Sequence, residues 1–348
     1  MKDLGAGKDP EFDPKLMGWG DRTLQPHQNL AMESRSIQYL SDKTGIVCSA
    51  SAAEGASKMS PKMDKLIRSF FKFDSGWDTM VAERMLYKLT PEQTLMVTQN
   101  IGNCVGDSHC CLVAGRIAHE VFAIGEAEEP FGFGQLSVPF IAYSYGAGRL
   151  VGGMINSRGD GSYCGAQMEG SQEYGYLPCS TPGLNEAYGE SSMPQGSAKT
   201  GRKFGSSKSE IEKWKGEATK FDLLEAPVCK TVDDAIMMIE EKQIGLQICS
   251  GTMPGRPVYD KALDCYVYTG WTPASHSTQI VTSFKQKGRQ FFVGRNQWGY
   301  GAHKGAPSLG IPGGCYVFPA ENLASWLKRA ECIGVGSIQG IPQSPKFV

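Results

Sequence analysis

The sequence predicts an α+β fold, with helices first and an antiparallel sheet or barrel after them. Three observations predict it. Residues 104–122, "CVGDSHCCLVAGRIAHEVF", are small or apolar on nearly every face, the pattern of a helix enclosed on all sides. Residues 230–243, "KTVDDAIMMIEEKQ", place Val232, Ile236 and Ile239 along one face of an amphipathic helix. Beyond them come "IGLQICS", "DCYVYTG", "HSTQIVTSF", "RQFFVGRN" and "GGCYVF", β-prone runs separated by Gly, Lys or Pro turns.

Taken in order, residues 1–59 are rich in Gly, Pro, Ser and Asp and read as an irregular arm, a candidate inhibitory or partner-docking segment. Ser60 and Pro61 open a helix as N-cap and first residue, with Leu66, Ile67, Phe70 and Phe71 at helical spacing. "GWDTMVAERMLYKL" (76–89) suits a second helix, stopped at Thr90-Pro91. "SVPFIAYSY" fits either a strand or a helix, and 165–175 a short helix ended by Gly175. Residues 178–208 are dominated by Gly, Ser and Pro and read as a long surface loop, with a short helix "SEIEKWKGEATKF" behind it.

A formal net charge of −1 over 348 residues gives no electrostatic reason to expect nucleic acid. The N-terminus has no apolar core of a signal peptide, and no run approaches the roughly 18 apolar residues of a membrane span. The chain therefore reads as soluble. Its eleven cysteines are odd in number, and several sit inside strand-like runs. Most are expected to be reduced thiols acting as small hydrophobes, which favours a reducing, cytoplasmic compartment. No C-x-x-C pair exists, and the Asp and His of "VGDSH" have no third ligand at metal spacing, so no metal or cofactor is expected.

One thiol is set apart by its surroundings. Cys104 begins the enclosed helix, where free backbone N–H groups and the helix dipole favour a thiolate. Gly102 permits the turn that presents it, and Gln99, five residues upstream, carries an amide N–H₂ for an oxyanion. Of five histidines, His276 stands at a strand entry able to face a cleft. Asn296 in "RNQWG" is suited to orient its ring, and Trp298 to shield that bond from water.

Gln99, Gly102-Asn103-Cys104, His276 and Asn296-Gln297-Trp298-Gly299 occur in this order and resemble the active-site set of papain-like cysteine peptidases. The resemblance extends over about residues 85–330. "GDGSYCGAQMEGSQEYGYLP" is similar to the family's glycine-containing cleft segment and following helix, and "GGCYVFPAENLASWL" to the closing strand and tail of divergent bacterial and phage members. It implies a two-lobe papain-like domain over 60–348, a helical left lobe with a central buried helix at about 60–225 and a β right lobe at about 226–348. It implies Cys104 as nucleophile, His276 as base and acid, Asn296 as orienter and Gln99 as oxyanion donor. A peptide or protein substrate would then lie along Gly102, Asn103, Gly161, Ser162 and Trp298.

Two departures from the family pattern stand out. Gln99 precedes the cysteine by five residues where the family usually has six, and Asn296 follows it by 192. The resemblance thus admits other members of the same fold: an inactive scaffold, a virion component if the chain is phage-encoded, or a hydrolase of cell-wall peptide cross-links.

Overall fold

The computed structural model describes residues 73–80, 99–123, 139–157, 159–179, 181–189 and 196–339. The arm at 1–59, the helix opened by Ser60 and Pro61, and His27 and Cys48 lie outside the described residues. Within them the fold is α+β, six helices in the first part followed by a curled, mainly antiparallel sheet.

The enclosed helix forms as the sequence predicts. It is α1, Cys104–Ala123, about 30 Å long at 1.5 Å per residue, and residues 104–119 are buried throughout. Next come α2 (Ile141–Val151), which resolves "SVPFIAYSY" as helix, and α3 (Cys164–Glu173), ended at Gly175 with φ +70°.

The expected long loop at 178–208 holds two helices instead, α4 (Leu184–Tyr188) and α5 (Ala198–Ser206). Ser197 caps α5 by accepting from the Thr200 amide at 3.1 Å. The glycines that look like breakers are contact points. A Cβ on Gly146 of α2 would lie 2.7 Å from the Phe204 carbonyl oxygen, and one on Gly205 would lie 2.8 Å from Tyr145. Close approach of two backbones, with Phe204 fully buried between them, outweighs the low helix propensity of the stretch. The helix α6 (Lys208–Ala218) follows, burying Ile211 and Trp214.

The amphipathic helix is α7 (Val232–Ile236), opened by a capping box in which Thr231 and Asp234 satisfy each other's amides. It runs into a wide turn, Met237–Glu241, that buries Met238 and Ile239, with Val232 and Ile236 packed against the same cluster.

The sheet has the order β4-β5-β3-β2-β6. Two of its strands are longer than the sequence suggests: β2 is Leu246–Asp260, and β3, Cys265–Gln286, fuses "DCYVYTG" and "HSTQIVTSF". Pro254 and Pro257 are tolerated because β6 (Glu331–Gly334) flanks only Leu246 to Cys249, leaving the rest of β2 as an edge. The pairing Ser250↔His276 is followed by Thr252↔Pro273, so β3 carries an extra residue there, a bulge beside His276. Strands β4 (Arg289–Arg295) and β5 (Cys315–Pro319) curl the sheet, and α8 (Ala320–Leu327) follows β5 and buries Leu323 and Trp326. The expected helix at 76–89 is corrected at its start. Ser75–Asp78 is a strand, β1, which pairs with β3 from Thr282 to Lys285, past the point where β2 ends at Leu246↔Ile280. Asp78 then accepts from the Met80 amide at 2.7 Å; residues 81–98 lie outside the described residues.

Among the described cysteines eight are free, and Cys164 and Cys249 form a disulfide. It ties the first residue of α3 to β2, 85 residues apart. Beside it Glu331 accepts from the Gly165 amide at 2.9 Å, a carboxylate on a helix N-terminus. Closing a loop of that length restricts the unfolded chain by about 4.5 kcal/mol on the chain-entropy account. Denaturant unfolding with and without a phosphine reductant should therefore differ by several kcal/mol; equal midpoints would show that the bridge contributes nothing.

Candidate active site

The site forms where the start of α1 meets β3 and the loop after β4. Asn103 caps α1 through its carbonyl, which accepts from the Asp107 amide at 3.0 Å, while its side-chain amide donates to Asp107 Oδ1 at 3.0 Å. Its side chain thus faces Asp107 within the helical body, and Asn103 is fully buried. Cys104 follows, its sulfur accepting from the backbone N–H of Ser277 at 3.4 Å. Residues from two distant parts of the chain meet at this contact, one of them the immediate neighbour of His276.

A buried polar cluster beneath the thiol fixes the register of α1 against the sheet. Gln247 of β2 donates to the Val105 carbonyl at 2.8 Å and to Ser108 Oγ at 2.7 Å, and Ser108 Oγ lies 2.7 Å from Ser277 Oγ. His109 contacts Gln247, Tyr176 and Ser171.

His276 Nε2 donates to Asn296 Oδ1 at 2.8 Å, leaving Nδ1 as the nitrogen available for a proton from a thiol. Asn296 is fully buried, and its Oδ1 also accepts from the Gln297 backbone N–H at 2.8 Å. The Trp298 ring lies 4.6 Å from the imidazole at an interplanar angle of 31°, covering one side of the His276–Asn296 pair. Gln99 is tied to the same loop by its backbone N–H, which donates to the Gln297 carbonyl at 2.8 Å, and its Oε1 is buried without a partner.

Gly102 and the segment 160–162 pack together: a Cβ on Gly102 would meet Asp160 Cβ at 2.7 Å. Gly161, expected to line a substrate backbone, has φ +115°. Its N–H donates to the Tyr145 hydroxyl at 3.1 Å and its carbonyl accepts from Arg149 Nη1 at 2.7 Å. Arg149, itself 3% exposed, also donates to the carbonyls of Gly205 and Met154. Both polar groups of Gly161 are therefore engaged inward, and the next residue, Ser162, is buried with its Oγ unpartnered.

Electrostatics here are governed by burial. Cys104 is 1% exposed and His276 4%. Burial pushes the Cys104 thiol up to about 12, against the lowering effect of the Ser277 amide and the helix-start amides. Burial likewise lowers His276 to about 4, opposed by its bond to Asn296. Burial in the folded chain thus favours the neutral form of each group taken by itself. Loss of hydration is the reason in both cases.

Asp107 is buried and its carboxyl is raised well above the ordinary range by desolvation. The folded chain keeps this proton while the unfolded chain releases it, so the group lowers stability progressively as pH rises past its ordinary value of 3.8. Asp107→Asn should leave the melting temperature unchanged near pH 3.5 and raise it at pH 7.5. A variant less stable at both pH values would contradict a neutral Asp107.

Sequence reasoning missed Gln247, Arg149 and His303. The last lies 2.9 Å from Asn296 Nδ2 through its Nε2. The Asn296–His303 spacing of seven residues was the only available signal.

No family model matches the chain, and no curated protein matches it. Solved structures similar to it include xylellain, a cysteine protease from Xylella fastidiosa, at 14% identity and TM-score 0.45, covering 82% of this chain and 92% of that one. Others are a digestive procathepsin L 3 of Tenebrio molitor larval midgut (10% identity, TM-score 0.42, 91% and 95% covered) and a procathepsin B from Trypanosoma congolense (10%, 0.41, 83% and 85%).

Proposed function

We propose that this chain is a cysteine peptidase of papain-like type, hydrolysing peptide bonds through Cys104, His276 and Asn296. The observation that carries the reading is one constellation: the Cys104 sulfur on the Ser277 amide, with the neighbouring His276 bonded through Nε2 to Asn296 and covered by Trp298. A nucleophile, a base and a group orienting the base are the parts that amide hydrolysis needs.

The proton of the thiol passes to His276 Nδ1 as sulfur attacks the substrate carbonyl carbon. The carbonyl oxygen takes the negative charge, held by the Cys104 backbone N–H and the Gln99 side-chain amide. Collapse breaks the C–N bond, the amine leaves with the proton from His276, and a thioester remains. Water, giving a proton to His276, hydrolyses the thioester to a carboxylic acid and restores the thiol.

The burial of Cys104 favours a second reading, an inactive scaffold of the same fold. Treatment with iodoacetamide below neutral pH, followed by peptide mapping, separates the two. Rapid modification of Cys104 alone indicates an accessible thiolate and an enzyme; labelling no faster than an ordinary thiol indicates the scaffold. Casein, peptidoglycan and ubiquitin-like conjugates as substrates then distinguish general proteolysis from cleavage of cell-wall or isopeptide cross-links.

A further inference from the structure

Asn296 is bonded on both sides of its amide. Its Oδ1 accepts from the Gln297 backbone N–H, a donor with no alternative role, so the oxygen's identity is fixed without reference to either histidine. Its Nδ2 must then be the atom that faces His303 Nε2 at 2.9 Å, and a donor there requires an unprotonated Nε2. The same logic runs the other way: Oδ1 faces His276 Nε2, which must carry the hydrogen, leaving Nδ1 unprotonated. One backbone amide thus sets the tautomers of two imidazoles.

We propose that His303 is a positioning residue for the Cys104–His276 pair, its neutral Nε2 accepting from Asn296 and holding that amide with its oxygen toward His276. The proposal rests on the peptidase reading for its consequence in catalysis, but not for its geometry. Neutrality is enforced by the enclosure of His303. Tyr268 of β3 stands edge-on at 5.1 Å, Tyr316 of β5 lies at 4.8 Å and Trp298 stacks at 6.3 Å. Burial, with His276 close by, lowers the ring to about 4. Its Nδ1 is buried without a hydrogen-bond partner among the described residues. A protonated His303 would set an N–H against the Asn296 N–H₂ and push the amide out of the plane that His276 needs.

Long-range proton–nitrogen spectra of the full chain labelled with ¹⁵N-histidine test this directly at neutral pH. We expect His303 as the Nδ1–H tautomer and His276 as the Nε2–H tautomer. His303→Leu should lower kcat on the order of 10- to 100-fold, the usual range for loss of an outer-shell orienting partner, with KM changed less than about twofold. His303→Gln, which offers an oxygen acceptor, should recover most of kcat and keep the His276 tautomer. An Nε2–H tautomer at His303 in the wild-type chain, or full kcat in a folded His303→Leu, would overturn the proposal. If the wild-type chain cleaves nothing, the peptidase reading fails alone, and the tautomer spectra still decide the placement of His303.

Discussion

Replacing Cys104 by alanine is expected to abolish peptide hydrolysis, whereas Gln99→Ala should leave activity reduced on the order of 10² to 10³-fold. The asymmetry follows from the roles. Without sulfur no thioester forms, and nothing else among the described residues near Ser277 offers a nucleophile of comparable strength. Without the Gln99 amide, the Cys104 backbone N–H still meets the oxyanion. Measuring kcat/KM for both variants, with folding checked by circular dichroism, reads the difference. Residual activity in Cys104→Ala would remove the sulfur from the mechanism. Full activity in Gln99→Ala would assign the second donor elsewhere, a real outcome given the five-residue spacing and the buried Gln99 Oε1.

Acid should unfold this protein steeply. Four histidines are buried, and desolvation lowers each from an ordinary 6.5, His109 and His119 to about 3 and His276 and His303 to about 4. A lowered value means the unfolded chain binds these protons first. The stability that the neutral rings represent is therefore complete above about pH 6.5 and lost as pH falls toward 4 and then 3. Each ring adds up to about 1.4 kcal/mol per pH unit within that window. Asp107 acts with the opposite sign, but it is a single group. Urea midpoints should fall continuously from about pH 6.5 to pH 4.5, and His119→Gln should flatten the slope. A midpoint independent of pH across that range would mean that the rings are hydrated and charged in the folded state.

The enclosed helix was legible because no polar stripe interrupts residues 104–119, and such a stretch has only a core to occupy. The strands were legible as runs but not in length. Pro254, Pro257 and Pro273 look like stops until β2 is seen to have an open edge and β3 a bulge. The helix α5 was hidden by composition, since Gly201 and Gly205 read as flexibility when their lack of a side chain serves contact with α2 and Ile101. Candidate chemistry at Cys104, His276, Asn296 and Trp298 could be drawn from residue type and order. Gln247, Arg149 and His303 could not, because their roles depend on partners that only the folded chain brings within reach. Nor could the Cys164–Cys249 pairing be picked from eleven cysteines.

The extra residue between Pro273 and His276 divides the long hairpin into an outer arm and an inner stem. Side chains alternate faces along a strand, so only changes of length on the stem side turn the imidazole over. The outer arm carries Val258 and Tyr259 half-exposed near its tip, but on β3 it buries Val267 and Tyr268, the latter against His303. Cross-strand pairs added or removed at that tip leave the imidazole's heading alone, whereas a change reaching Tyr268 opens the enclosure of His303.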